Sequence, residues 1–132
     1  MTPQKIQAWI TYWRKTAAHD YDTMEGLFTI KRYSDSLFFG HIVLEKVLKA
    51  HVVKKTKRQA PYTHDLILLA EIIQLPFLKN SELLADVNQF NTRARYPDQK
   101  FEFYKKCTKN YAENYLKKIK HSYKQLCLEL KK

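Results

Sequence analysis

The chain has 132 residues, a formal charge of +11, 45% apolar residues and 14% aromatic residues. A chain of that length can bury a core without disulfide or metal staples, and its apolar content excludes the disordered class. Only two glycines and four prolines interrupt it, which suits long helices and excludes a many-turned β fold.

The first predicted helix covers residues 2–27. Thr2 can cap it and Pro3 suits its first turn. Ile6, Ile10, Trp13, Ala17, Met24 and Leu27 recur along it at steps of three, four or seven, the stripe of an amphipathic helix. Asp20 falls on that stripe, so it needs a helix edge or a basic partner. The second helix covers residues 31–57, with Leu37, Phe38, Leu44, Val47, Leu48 and Val52 as its apolar face. His41 and Glu45 sit among them, and a histidine in that setting is more often a hydrogen-bonded core residue than a ligand. A breaker follows at 59–62. Thr63 reads as the next N-cap, with Asp65 in the first turn, and Leu66, Leu69, Ala70 and Ile73 on a short third helix that Pro76 ends. Asn80 or Ser81 caps a fourth helix bearing Leu83, Leu84, Val87 and Phe90, which must stop before Pro97. The last helix starts between Gln99 and Thr108 and carries Tyr111, Tyr115, Ile119, Tyr123, Leu126 and Leu130.

No segment alternates as a strand does, and no repeat is visible. The expectation is one all-α domain over residues 1–132, a five-helix antiparallel up-and-down bundle with loops at 59–62, near Pro76 and near Pro97.

Charge is unevenly placed. Residues 99–132 hold ten lysines against Glu102, Glu113 and Glu129, a net of +7, and Lys54, Lys55, Lys57 and Arg58 form a second cluster. Such clusters fit an anionic partner, nucleic acid, nucleotide or acidic protein, and equally an ordinary solvated lysine-rich surface. Cys107 and Cys127, taken as lying on one helix, would be roughly 30 Å apart, too far to pair. Two free thiols, no leader-like N-terminus and no apolar run long enough to span a bilayer imply a cytoplasmic protein without a membrane contact. No Cys/His cluster has zinc spacing, and Gly26 and Gly40 make no phosphate loop or dinucleotide fingerprint. Neither metal nor cofactor is expected.

Three stretches carry more. They are Leu44-Glu45-Lys46-Val47-Leu48-Lys49-Ala50, then Pro61-Tyr62-Thr63-His64-Asp65-Leu66, then Thr92-Arg93-Ala94-Arg95-Tyr96-Pro97-Asp98. In this order, with Trp13 and Asp20 on the first helix, they resemble the HEPN domain (higher-eukaryote and prokaryote nucleotide-binding domain) over nearly the whole chain. The resemblance implies a helical bundle, commonly homodimeric. Many members partner minimal nucleotidyltransferases in toxin–antitoxin-like pairs. Others are metal-independent ribonucleases with an arginine, four to six residues, then a histidine near the end of the fourth helix. Arg93 and Arg95 fall there, but no histidine follows within six residues. Arg14 to His19 and Arg58 to His64 match the spacing elsewhere, as chance allows among five histidines and 24 lysines and arginines.

The leading expectation is therefore a non-enzymatic, homodimeric module that binds a nucleotide, RNA or a nucleotidyltransferase partner. Arg93, Arg95 and Tyr96 would line an anion-accepting groove, with Lys46, Lys49 and His64 contributing: guanidinium forks grip phosphate and a tyrosine face can stack on a base. Glu45 and Lys46 read as an ordinary helix-surface pair, and Lys49 stands one turn beyond Glu45, in reach for an ion pair. The arginines could instead cap helix carbonyls or pair with Asp98. In the ribonuclease alternative His64 would be the general base or acid and Arg58 would face the phosphorane charge. A third alternative is a purely structural interaction domain.

Overall fold

The computed structural model describes all 132 residues, Met1–Lys132. It has six α-helices and no strand: α1 Pro3–Thr29, α2 Tyr33–Thr56, α3 Leu66–Ile73, α4 Glu82–Arg95, α5 Pro97–Lys106 and α6 Lys109–Leu130, with a 3₁₀ turn at Pro76–Leu78. Four helices open on side-chain caps, α3 on Asp65 and three others on hydroxyls. Thr2 Oγ1 accepts the Lys5 N–H, Ser81 Oγ that of Leu84 and Thr108 Oγ1 that of Tyr111, each at 3.2 Å, satisfying donors that have no partner inside the helix.

Two local expectations need correction. Asp65, not Thr63, caps α3: its Oδ1 accepts the N–H groups of Ile67 at 3.0 Å and Leu68 at 3.4 Å. Thr63 Oγ1 accepts the Asp65 N–H at 3.1 Å and closes a turn just before the helix. Leu66 is fully buried, so the helix starts where that side chain enters the core. The helix count is the second correction. Pro97 ends α4 as foreseen, but Tyr96 alone separates it from α5, which Pro97 itself opens. A proline in the first turn gives up an N–H that would have no helical partner there, and its φ already suits a helix. There is thus no loop at Pro97, and the final helix begins only after Thr108. Near Pro76, α3 stops at Ile73 on a left-handed Gln74 (φ 59°), and Pro76 opens the 3₁₀ turn.

The strict up-and-down order also fails. α1 and α2 are antiparallel: Ser36 Oγ donates to the Met24 carbonyl at 2.8 Å near their turn, and Lys49 lies over Trp13 far from it. Residues 57–65, however, run back along α2. His64 meets His41 and Glu45, while the other end of α3 meets Lys55. α3 therefore lies parallel to α2, as does α6, which touches Gly40 through Ile119 and His51 and Lys54 through Leu126 and Leu130. Nine extended residues can cover roughly 30 Å, enough to return along the 14-residue stretch from His41 to Lys55, about 21 Å of helix.

α2 is the central helix and packs against α1, α3, α4, α5 and α6. It is buried nearly all round, which explains why polar Ser36, His41, Glu45, Lys49 and His51 are buried with its aliphatic residues. One buried cluster draws on all six helices, from Ala17 and Met24 to Phe103 and Leu126. The middle lysine cluster is largely structural. Lys54 Nζ donates to the Leu130 carbonyl and Lys55 Nζ to that of Ile73, both at 2.9 Å. Both carbonyls close helices whose C-terminal ends attract cations. Cys107 ends α5 instead of sharing a helix with Cys127; both are free thiols.

Candidate functional site

A chain of polar groups crosses from α2 to the end of α4. Burial pushes the His41 pKa down, so its imidazole is neutral at pH 7. Its Nε2–H donates to the His64 carbonyl at 2.8 Å. Nδ1 is then the acceptor, facing the Asn91 amide at 3.4 Å. The 3.8 Å approach of His41 Nδ1 to Glu45 is therefore not an ion pair. Asn91 Oδ1 accepts from the Arg95 guanidinium at 3.4 Å, one turn further along α4. Glu45 holds the other side. Its Oε1 accepts from His64 Nδ1 at 2.9 Å and its Oε2 from Lys49 Nζ at 3.0 Å. Glu45 and Lys49 are only 8% and 6% exposed, whereas the His64 side chain is 58% exposed.

Helix spacing explains this assembly. His41, Glu45 and Lys49 are four residues apart on α2, and Asn91 and Arg95 are four apart on α4, so each set shares one helix face. His64 arrives on the returning loop. That loop is held by Asn88, whose Oδ1 accepts the Leu66 N–H and whose amide donates to Asp65 Oδ1, both at 2.9 Å. Trp13 closes the far side: Lys49 Nζ lies 5.2 Å from its ring centre, and its Nε1 is buried without a hydrogen-bond partner.

Of the residues singled out from sequence, Arg95, His64 and Lys49 thus belong to one network, with exposed Tyr96 next to Arg95. Arg93 does not join them. Two residues along a helix is a turn of about 200°, and Arg93 lies over the Phe103 ring at 5.3 Å, beside a shallow polar depression of about 250 Å³ with Asn88, Gln89, Thr92 and Gln99. Neither arginine forms an ion pair with Asp98 within 4.0 Å. Lys46 bonds Asp20 at 2.5 Å, the basic partner that Asp20 required. Glu45 and Lys46 are accordingly not a surface pair: Glu45 is buried with Lys49, and Lys46 ties α2 to α1. Arg58 is exposed and its backbone N–H bonds Thr56 Oγ1; the partner of His64 is Glu45. Sequence reasoning passed over Asn91, whose spacing from Arg95 was its one signal.

A larger cavity lies elsewhere. It measures about 1030 Å³ between α3, the 3₁₀ turn and α4, lined by Ile67, Leu75, Leu78 and Leu84 among others, and shares no residue with the polar network. No group of three or more His, Cys, Asp or Glu side chains is placed to hold a metal, and no helix is long and apolar enough to cross a membrane.

The family model of the HEPN domain matches residues 10–127. The chain belongs to the HEPN domain family, which points to a nucleotide- or RNA-related function. No curated protein and no solved structure matches it.

Proposed function

We propose that the chain is a non-enzymatic, homodimeric HEPN module that binds the phosphate of a nucleotide or RNA beside a nucleotidyltransferase partner, in a toxin–antitoxin-like pair. The observation that carries the binding site is the buried Asn91–His41–Glu45–Lys49 network, which holds two exposed groups, Arg95 and His64, beside the middle of α2. A preorganised donor loses less entropy on gripping an anion than a free surface lysine does. Arg95 and His64 supply the contacts and Tyr96 a stacking face. Lys49 serves by neutralising Glu45, which would otherwise repel phosphate. Lys46 and Arg93 contribute charge from their own contacts with Asp20 and Phe103.

Isothermal titration with AMP and a short RNA tests this. Arg95→Ala should weaken binding by about 1–3 kcal/mol, the range for charge-assisted hydrogen bonds. Removing Lys131 and Lys132 should alter only the salt dependence. Equal losses in both variants, or no binding at moderate salt, would overturn the site.

The ribonuclease reading keeps one supporting observation, the Glu45–His64 pair. A carboxylate on Nδ1 orients an imidazole so that Nε2 can take a proton. In that reading His64 would be the base and Arg95, not Arg58, would face the phosphorane charge. RNA cleavage in the presence of a chelator, abolished by His64→Ala, would establish it; intact RNA supports the binding module.

A further inference from the structure

α5 buries one side and leaves the other uncovered. Phe103 and Cys107 face the core, at 1% and 5% exposure. Phe101 and Tyr104, one turn apart, are 63% and 65% exposed. Their rings lie 6.5 Å apart and within 13° of parallel, and Lys105 Nζ sits 4.7 Å from the centre of the Phe101 ring. Solvent-facing turns ordinarily carry polar residues; two large rings side by side in water signal a surface that is covered by something else.

The flanking charge says what kind of partner fits. Residues 93–109 carry six cations, Arg93, Arg95, Lys100, Lys105, Lys106 and Lys109, against Asp98 and Glu102. A second copy docked on the same patch would bring these cations against their own counterparts. A neutral apolar segment would cover the rings but leave these cations, apart from Lys105 with Glu102 at 3.2 Å, without an anion. A phosphodiester strand satisfies both, because unpaired bases stack on ring faces regardless of sequence while lysines and arginines track the phosphates. We propose that the exposed face of α5 is a stacking platform for the unpaired bases of a single-stranded polynucleotide, with Phe101 and Tyr104 under the bases and Lys105 beside them. The proposal rests on the reading that this chain binds a nucleotide or RNA, and narrows the ligand from a lone nucleotide to a strand.

The test is fluorescence anisotropy of the full chain with a labelled oligoadenylate of roughly 12 nucleotides, within the size a single-strand site covers, as RNA, as DNA and as a duplex. Phe101→Ser/Tyr104→Ser should lower single-strand affinity by about tenfold or more, as lost base stacking does, while Phe101→Tyr/Tyr104→Phe restores it. Duplex binding should be weaker and indifferent to both pairs. Stronger binding of the RNA form would assign the strand to RNA, and equal binding to polynucleotides of either sugar; both support a platform that reads base faces. Because the rings are exposed, the serine pair should melt with the native chain. Unchanged affinity, or equal loss on duplex, overturns the platform, as does a serine pair that converts a dimer to monomer with RNA affinity intact. AMP separates the two sites. If AMP binds but the strand ignores the α5 pair, the platform alone fails; if the strand needs the pair but AMP does not bind, only the polar network fails as a ligand site.

Discussion

Glu45 is the residue on which the polar centre turns. Its two oxygens neutralise Lys49 and orient His64 within a setting that excludes most water. Removing one partner of a buried ion pair leaves the other charge uncompensated, at about 3–5 kcal/mol. Glu45→Gln should therefore lower the unfolding free energy by an amount in that range, read as a lower urea midpoint with the m-value unchanged, and should loosen His64 as well. The buried histidines give a pH signature. Burial holds the pKa values of His41 and His51 below their ordinary 6.5. The unfolded chain then binds protons that the folded chain does not, so stability is fully present above about pH 6.5 and is lost as pH falls below it. Thermal melts from pH 7 to pH 5 should show a falling midpoint. His41→Gln, which cannot take up the proton, should flatten that slope; an unchanged slope would show that His41 does not contribute.

At the scale of elements, the two glycines, Gly26 in the last turn of α1 and Gly40 inside α2, have opposite meanings. A Cβ on Gly26 meets nothing within 4 Å. Gly26→Ala should stabilise the chain by roughly 0.5–1 kcal/mol through helix propensity alone. A Cβ on Gly40 lies 2.8 Å from Ile119 Cδ1, because α2 and α6 approach closely there. Gly40→Ala gains the same propensity but pushes that methyl, and overpacking costs about 1–3 kcal/mol. Ile119→Val removes the methyl concerned. In a double-mutant cycle by urea denaturation, the Gly40→Ala/Ile119→Val chain should be more stable than the two single changes summed, by about 1 kcal/mol; simple additivity would mean that the helices shift apart instead. Lysines at the ends of other helices act at this scale too. Lys55→Ala should cost about 1–2 kcal/mol by leaving the last carbonyls of α3 without their cation.

At the scale of the whole molecule, the proposed dimer would need an aromatic surface that the chain does not itself cover. The tyrosines of α6 are half-buried within the chain itself, Tyr123 stacked on Tyr21 at 4.9 Å and Tyr111 and Tyr115 against Phe90. They are not free for a partner. On α1, Trp9, Tyr12 and Trp13 cluster with ring centres 5.0–6.3 Å apart, and Tyr12 is 48% exposed. Aromatic clusters of this kind are favoured at interfaces. Sedimentation at tens of micromolar, a concentration that about micromolar affinity would populate, should find twice the 15.8 kDa chain mass. Trp9→Ser/Tyr12→Ser should return it to the monomer. A native chain that sediments only at its own mass removes the dimer.

Five of the six helices, the cap at Thr2, Ser81 as one of two candidate caps and the stop of α4 before Pro97 were legible from the sequence, because propensity, capping and the proline restriction act within a few residues; α5 was not, because Pro97 both ends one helix and opens the next. Arg95, His64 and Lys49 were legible as candidates because they lie in the three stretches that resemble the family and carry groups able to meet an anion. Three things were settled only by tertiary structure. The return of residues 57–65 along α2 sets His64 against Glu45, a pairing 19 residues apart that no local periodicity encodes. The burial of α2 on nearly every side turns Glu45 from half of a surface pair with Lys46 into the internal partner of Lys49, because helices distant in sequence cover it. The placing of Arg93 over the Phe103 ring depends on how α5 folds back on α4, although its divergence from Arg95 is already set by their two-residue spacing on one helix. Short-range chemistry wrote the elements; long-range packing chose which of their polar groups meet.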